Sequence, residues 1–198
     1  ILISEDEESI IQTIRSRCQV LHFNGIHENI IADVLVSREN MEPREAKKIA
    51  HQAQGNFSKA LHLLREDSEE QPFEQWFVLW VRAAFRAKGN ASAINDLIAW
   101  SEQIAGLGRE AQKKFLHFCI EMFRQALLLN YQSSSLVYME PEVEKFKLEN
   151  FAPFVNGNNI NDIFKELSDA VYHIERNGNA KIILTDLSIK LTRLIHKK

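Results

Sequence analysis

Apolar residues recur three and four positions apart over most of this chain, and that spacing commits it to helices. The longest stretch is 109–131, where Phe115, Leu116, Cys119, Met122, Phe123, Ala126 and Leu127 fall on one face. Phe73 to Lys88 repeats the pattern with Trp76, Phe77, Trp80, Val81, Ala84 and Phe85, and Gly89 ends it. The same spacing predicts helices over 91–105, 142–150, 160–175 and 180–196. Two pieces depart from it. Ile1-Leu2-Ile3 reads as the end of a buried strand, and Gln19-Val20-Leu21-His22-Phe23 alternates polar and apolar like a brief strand. No fixed repeat of solenoid length is present. The expected fold class is therefore mainly α.

Three blocks follow one another. In 1–23, Ser4 with Glu7 forms a capping box, and Ile10, Ile11 and Ile14 share one face of a short helix. In 24–67 three short helices are expected. Glu28 to Ser37 turns Ile30, Ile31, Val34 and Leu35 inward. The next begins at Pro43 in position N1, buries Ala46, Ile49, Ala50 and Ala53, and stops at Gly55. Phe57 to Arg65 buries Ala60, Leu61 and Leu64. So small a unit buries little by itself and needs neighbours. The acidic stretch Asp67 to Pro72 is a break, and the longer helices of 72–198 form the third block.

Of the 198 residues, 45% are hydrophobic and 26% charged, with a net charge of −3. This is a folded, globular balance without the basic field that holds nucleic acid. Cys18 and Cys119 both sit among apolar neighbours, which suits free thiols in a reducing compartment, and no CxxC or CxxH spacing offers zinc ligands. No run of roughly 18 apolar residues spans a membrane. The opening apolar triplet runs straight into acids with neither Met nor a basic signal-peptide region, like a chain cut open inside a strand. A C-terminal part of a longer cytoplasmic protein is expected.

The most specific local string is Thr13-Ile14-Arg15-Ser16-Arg17-Cys18-Gln19, at the handover from short helix to strand. A guanidinium presented there stays charged and forks onto phosphate oxygens, which is what an arginine finger acting in trans requires. The bland reading is a surface arginine in a turn.

Ile1-Leu2-Ile3-Ser4-Glu5 followed by Thr13-Ile14-Arg15-Ser16-Arg17-Cys18 resembles the end of the ATPase domain in DNA polymerase clamp loaders, and Ser16-Arg17-Cys18 matches the Ser-Arg-Cys signature of that family. Ala46, Ile49-Ala50 and Gly55-Asn56-Phe57-Ser58-Lys59-Ala60-Leu61 resemble its small helical lid. Glu175-Arg176-Asn177-Gly178-Asn179-Ala180-Lys181 through Leu187 resembles the last collar helix of the bacterial loaders. The three likenesses occur in the family's order. They imply that 1–23 is the remnant of an AAA+ α/β core, 24–67 the three-helix lid and 72–198 a helical collar through which subunits join in a ring.

Hydrolysing members carry an arginine as γ-phosphate sensor at the third position after the lid glycine, where this chain has Ser58. Lys59 is one step on, rotated by about 100°. Keeping the finger while lacking the sensor resembles the delta-prime branch of the bacterial DNA polymerase III loaders. The resemblance implies Arg17 as the catalytic contribution, with Thr13, Ser16 and Cys18 as motif support. It implies no cofactor bound by these residues, and action on the ATP of a neighbouring subunit. The implied partners are other loader subunits in a hetero-oligomeric ring and, through the assembly, the sliding clamp and primer-template DNA. The chain would not be an enzyme on its own. One departure is Gln12, where many relatives carry proline before the threonine.

Three alternatives stand beside this. An ATP-hydrolysing gamma/tau-like subunit would carry a P-loop before residue 1. A helical DNA-binding regulator would need a basic recognition helix, and Phe57–Arg65 offers only Lys59, His62 and Arg65. A plain helical scaffold would make the Ser-Arg-Cys string a coincidence.

Other residues carry less. His27, His51, His62, His117, His173 and His196 are scattered without metal-ligand spacing. Asp6-Glu7-Glu8 and Glu69-Glu70 read as solvated charge. Trp76, Phe77 and Trp80 have core spacing rather than that of a base-stacking platform. Lys113-Lys114 and Lys197-Lys198 are modest basic pairs. The density of Phe and Trp over 73–123 leads to the expectation that some of these rings stay exposed as a partner surface.

Overall fold

The structure, a computed structural model, describes residues 1–4, 10–66 and 72–197. It contains ten α-helices and no strand among the described residues. The chain divides into two compact units, Ile1–Ser68 and Glu69–Lys198.

The first unit holds α1 (Gln12–Arg15), α2 (Glu28–Glu39), α3 (Pro43–Ala53) and α4 (Phe57–Glu66). Helix α3 packs on both α2 and α4. Their shared core is small: Ile31, Ala32, Leu35, Ala46, Ile49, Ala50, Ala53 and Ala60. The alanines let the helix backbones approach closely, so a few residues exclude water. Pro43 opens α3 as its position predicts, and Glu42 closes the first turn by accepting N–H bonds from Arg44 and Glu45 at 2.8 and 3.3 Å. His27 caps α2 through Nδ1, which accepts from the Asn29 N–H at 3.3 Å. The inward face of α2 differs from expectation: Ile30 is 56% exposed while Ala32 is buried. Its partner α3 is lined with alanine, and the small Ala32 suits so close an approach.

Residues 1–3 and 19–23 are not strands. A strand satisfies its backbone only through a lateral partner, and none lies among the described residues. Their apolar side chains face solvent, with Ile3 at 93% and Phe23 at 90%. The Ser4–Glu7 capping box lies outside the described residues, because residues 5–9 are not among them.

The second unit holds α5 (Phe73–Arg86), α6 (Ala91–Ala105), α7 (Arg109–Asn130), α8 (Leu148–Phe151), α9 (Ile160–Glu175) and α10 (Ala180–Leu194). Helix α7 packs along α9, and α10 lies against α6, α9 and α5. Trp80 stacks on Trp100 with centroids 4.8 Å apart and planes 4° from parallel, and Phe77, Phe115 and Phe123 fill the space around them. The Trp80 N–H donates to Ser188 Oγ at 2.9 Å, and the Trp100 N–H to the Trp76 carbonyl at 3.0 Å.

The helix expected over 142–150 is confined to Leu148–Phe151. Lys145 has φ 59, and the carbonyls of Glu144 and Lys145 accept bonds from Arg82 Nη2 at 3.2 and 2.9 Å. The Glu142 N–H donates to Glu74 Oε2 at 2.7 Å. The two carbonyls, which a helix over 142–150 would pair internally, are taken by the Arg82 side chain of α5.

Most aromatic residues of 73–123 are inside. Trp76, Phe77, Trp80, Trp100, Phe115 and Phe123 are all buried, Phe73 and Phe118 are partly buried, and Phe85 stays exposed at 39%, edge-on to Phe154. Exposed apolar surface in the second unit is spread over several elements and mixes aliphatic residues such as Leu79, Ile94 and Ile182 with the rings of Phe85, Tyr131, Phe154 and Tyr172.

Candidate functional site

Helix α1 is one turn long, too short to stand by propensity alone. Its bonds run from the Ile14 and Arg15 N–H groups to the Ile11 carbonyl at 2.9 and 3.1 Å, and from Ser16 N–H to the Gln12 carbonyl at 2.9 Å. The Ser16 hydroxyl donates to the Thr13 carbonyl at 3.3 Å. Arg17 N–H reaches the Ile14 carbonyl at 3.0 Å, and Cys18 N–H the Arg15 carbonyl at 3.2 Å. The turn thus continues tightly through Cys18. Thr13 and Ser16 work on the backbone here, as its closing bond.

Arg17 stands just beyond the Ser16 C-cap with its side chain exposed. Among the described residues no carboxylate pairs with it. Helix α1 buries no residue, so Arg17 is carried on a segment facing solvent. Cys18 is an exposed free thiol and Cys119 a buried one; burial pushes the Cys119 thiol well above its ordinary range.

Ser58 and Lys59 occupy the first turn of α4, both exposed. Asn56 Oδ1 accepts the Lys59 N–H at 3.1 Å and caps that turn. No hydrogen bond or ion pair joins Arg17 to Ser58 or Lys59. The structure therefore brings Thr13, Ser16, Arg17 and Cys18 together on one turn and leaves the Ser58–Lys59 pair on a separate element.

Between these elements lies a contact that the sequence pattern does not show. Gly25 and Gly55 meet backbone to backbone. A Cβ added at Gly55 would fall 2.8 Å from Gly25 Cα and 3.1 Å from the Gly25 carbonyl carbon. The Ile26 N–H donates to the Gly55 carbonyl at 2.9 Å. Gln54 at φ 50 and Gly55 at φ 84 are both left-handed and turn α3 sharply into α4. In the sequence Gly55 reads as a helix stop, and nothing marks Gly25 as its partner. Only their distance in space reveals the crossing.

Elsewhere, His51 Nδ1 meets Glu28 Oε2 at 2.8 Å across α2 and α3. No group of three His, Cys, Asp or Glu among the described residues gathers to hold a metal. A depression between α5, α9 and α10, lined by Trp80, Ile163, Leu167, Leu187 and Leu191, has no room for a small molecule. Glu166 at its edge is bound by Lys190 at 2.8 Å, and Lys190 also meets Asp186 at 2.8 Å. Hydrogen bonds to Asp186 and then Glu166 raise the Lys190 ammonium above the ordinary lysine range. Lys113 pairs with Glu110 at 2.9 Å and Glu175 at 3.7 Å, and Lys197 with Asp162 at 2.8 Å. Those cations answer local acids rather than forming a track for phosphates. The acids at 6–8 and 69–70 lie outside the described residues. No helix among the described residues is long and apolar enough to cross a membrane.

Comparison with protein families, with curated proteins and with solved structures finds no match in any of the three.

Proposed function

We propose that this chain serves as a delta-prime-like, non-hydrolysing subunit of a bacterial DNA polymerase III clamp loader. In this reading residues 1–23 end an AAA+ core, 24–67 form the lid and 72–198 form the collar. The observation that carries it is Arg17: an exposed guanidinium, without a carboxylate partner among the described residues, at the tip of a tightly closed turn. Exposed arginines are common on folded proteins; what singles this one out is its place in the Ser16-Arg17-Cys18 string at the end of that turn. An arginine left uncommitted can fork onto the phosphate oxygens of a nucleotide held by a neighbouring subunit and offset charge that develops during phosphoryl transfer. Ser58 at the sensor position supports a role in completing that neighbour's site rather than hydrolysing ATP within this chain.

The ring would be hetero-oligomeric, act in the cytoplasm on a sliding clamp and primer-template DNA, and require two different faces from each subunit. The chain brings no cofactor of its own to this reaction. The test is Arg17→Ala in the assembled loader. Assembly should remain intact, because α1 contributes no buried residue. DNA-stimulated ATP turnover should fall, by less than the roughly 10³–10⁵ of a single-site finger, because several nucleotide sites share the work. Wild-type turnover and clamp loading by the Arg17→Ala complex would refute the assignment.

A further inference from the structure

Arg17 is carried on the arm formed by α1 and residues 16–27. Helix α1 buries nothing, and residues 19–27 are neither helix nor strand. Where the arm meets the three-helix unit, Gly25 crosses Gly55 and the Ile26 N–H bonds to the Gly55 carbonyl at 2.9 Å. The crossing is built of main chain on both sides. A Cβ at Gly25 would lie 3.2 Å from Gly55 Cα and 3.5 Å from the Gln54 carbonyl oxygen, and no flexible side-chain end is there to yield.

We infer that the Gly25–Gly55 crossing is a positioning joint: it sets the direction in which the arm leaves the α2–α4 unit and so where Arg17 is presented. As a statement about rate, this rests on Arg17 acting on a neighbour's nucleotide. As a statement about geometry, it stands on the contact itself. A misplacement of about 1 Å at the guanidinium is enough to cost on the order of 10²-fold in rate at a single site. Gly25 is the cleaner position to perturb. Gly55 has φ 84, so any side chain there adds backbone strain of its own, whereas Gly25 lies outside the left-handed region.

The test has two arms. In the full-length chain, the exposed Cys18 takes one spin label and His62→Cys, on the exposed side of α4, takes the second, while the buried Cys119 stays unlabelled. Pulsed dipolar distances should shift or broaden measurably in Gly25→Val, and by less in Gly25→Ala, where relief of the 3.2 Å contact asks for only a small displacement, with helix content retained. An unchanged distance distribution in both variants overturns the joint. In the assembled loader, Gly25→Val should lower kcat by about tenfold with KM for ATP unchanged, and should have no further effect in an Arg17→Ala background. If Arg17→Ala slows turnover and Gly25→Val does not, or if the two losses multiply, the positioning role is overturned. If Arg17→Ala itself leaves turnover normal, the finger reading fails, and the distance measurement still decides whether the joint directs the arm.

Discussion

Replacing Ser188 with alanine removes one oxygen from the second unit and exposes how its core is fastened. Trp80 and Ser188 are both fully buried, and the indole N–H donates to Ser188 Oγ at 2.9 Å. The serine hydroxyl in turn donates to the Leu184 carbonyl at 2.7 Å. Ser188→Ala leaves the indole N–H without an acceptor in a site that water does not reach. A buried donor without a partner costs about 1–3 kcal/mol. Alanine recovers roughly 0.5 kcal/mol through its better helix propensity in α10. The net loss is therefore about 1.5 kcal/mol. With a urea slope of about 2 kcal/mol per molar, the unfolding midpoint falls by roughly 0.7 M. Tryptophan fluorescence is the assay, since all three tryptophans belong to this unit and none to the first. Trp80→Phe completes a double-mutant cycle, in which the pair should couple by about 1 kcal/mol. A Ser188→Ala midpoint equal to the wild type, or zero coupling, refutes the claim that this bond ties α5 to α10.

Two further outcomes are expected. Lys190 links Glu166 on α9 to Asp186 on α10, and its folded value is raised above the ordinary 10.5; the stability it lends is thus full below the unfolded value and falls away as pH rises from there through the folded value. Relative to wild type, Lys190→Met should lose less stability between about pH 10 and pH 12, and parallel urea midpoints in the two proteins across that range would contradict it. Cys18 is exposed and Cys119 buried with its thiol kept protonated, so a thiol reagent should modify Cys18 at once and Cys119 only as fast as the second unit opens. Rapid double labelling of the native chain would show that α7 is not packed as described.

Helix α6 and the starts of α5, α7, α9 and α10 coincide with the spacing of their apolar residues, because a helix is written locally: each bond spans four residues and each face repeats every three or four. Pro43 and Gly55 were legible for the same reason, since both act through their own φ angles. The string from Thr13 to Cys18 could be singled out from residue types, and so could the absence of arginine at position 58.

Tertiary structure decided the rest. Residues 19–23 have the alternation of a strand, but alternation describes a face and not a partner, and no second strand is present among the described residues to receive their bonds. Glu142 to Lys147 have helical spacing, yet Arg82 and Glu74 bind that backbone from a helix some sixty residues earlier. Most aromatic residues of α5 to α7 are covered because α8, α9 and α10 close over them, a sum over distant segments that no local window contains. The Gly25–Gly55 crossing belongs to the same class. Helix identity follows from interactions within one turn, whereas exposure, strand pairing and backbone crossings depend on which remote segments meet.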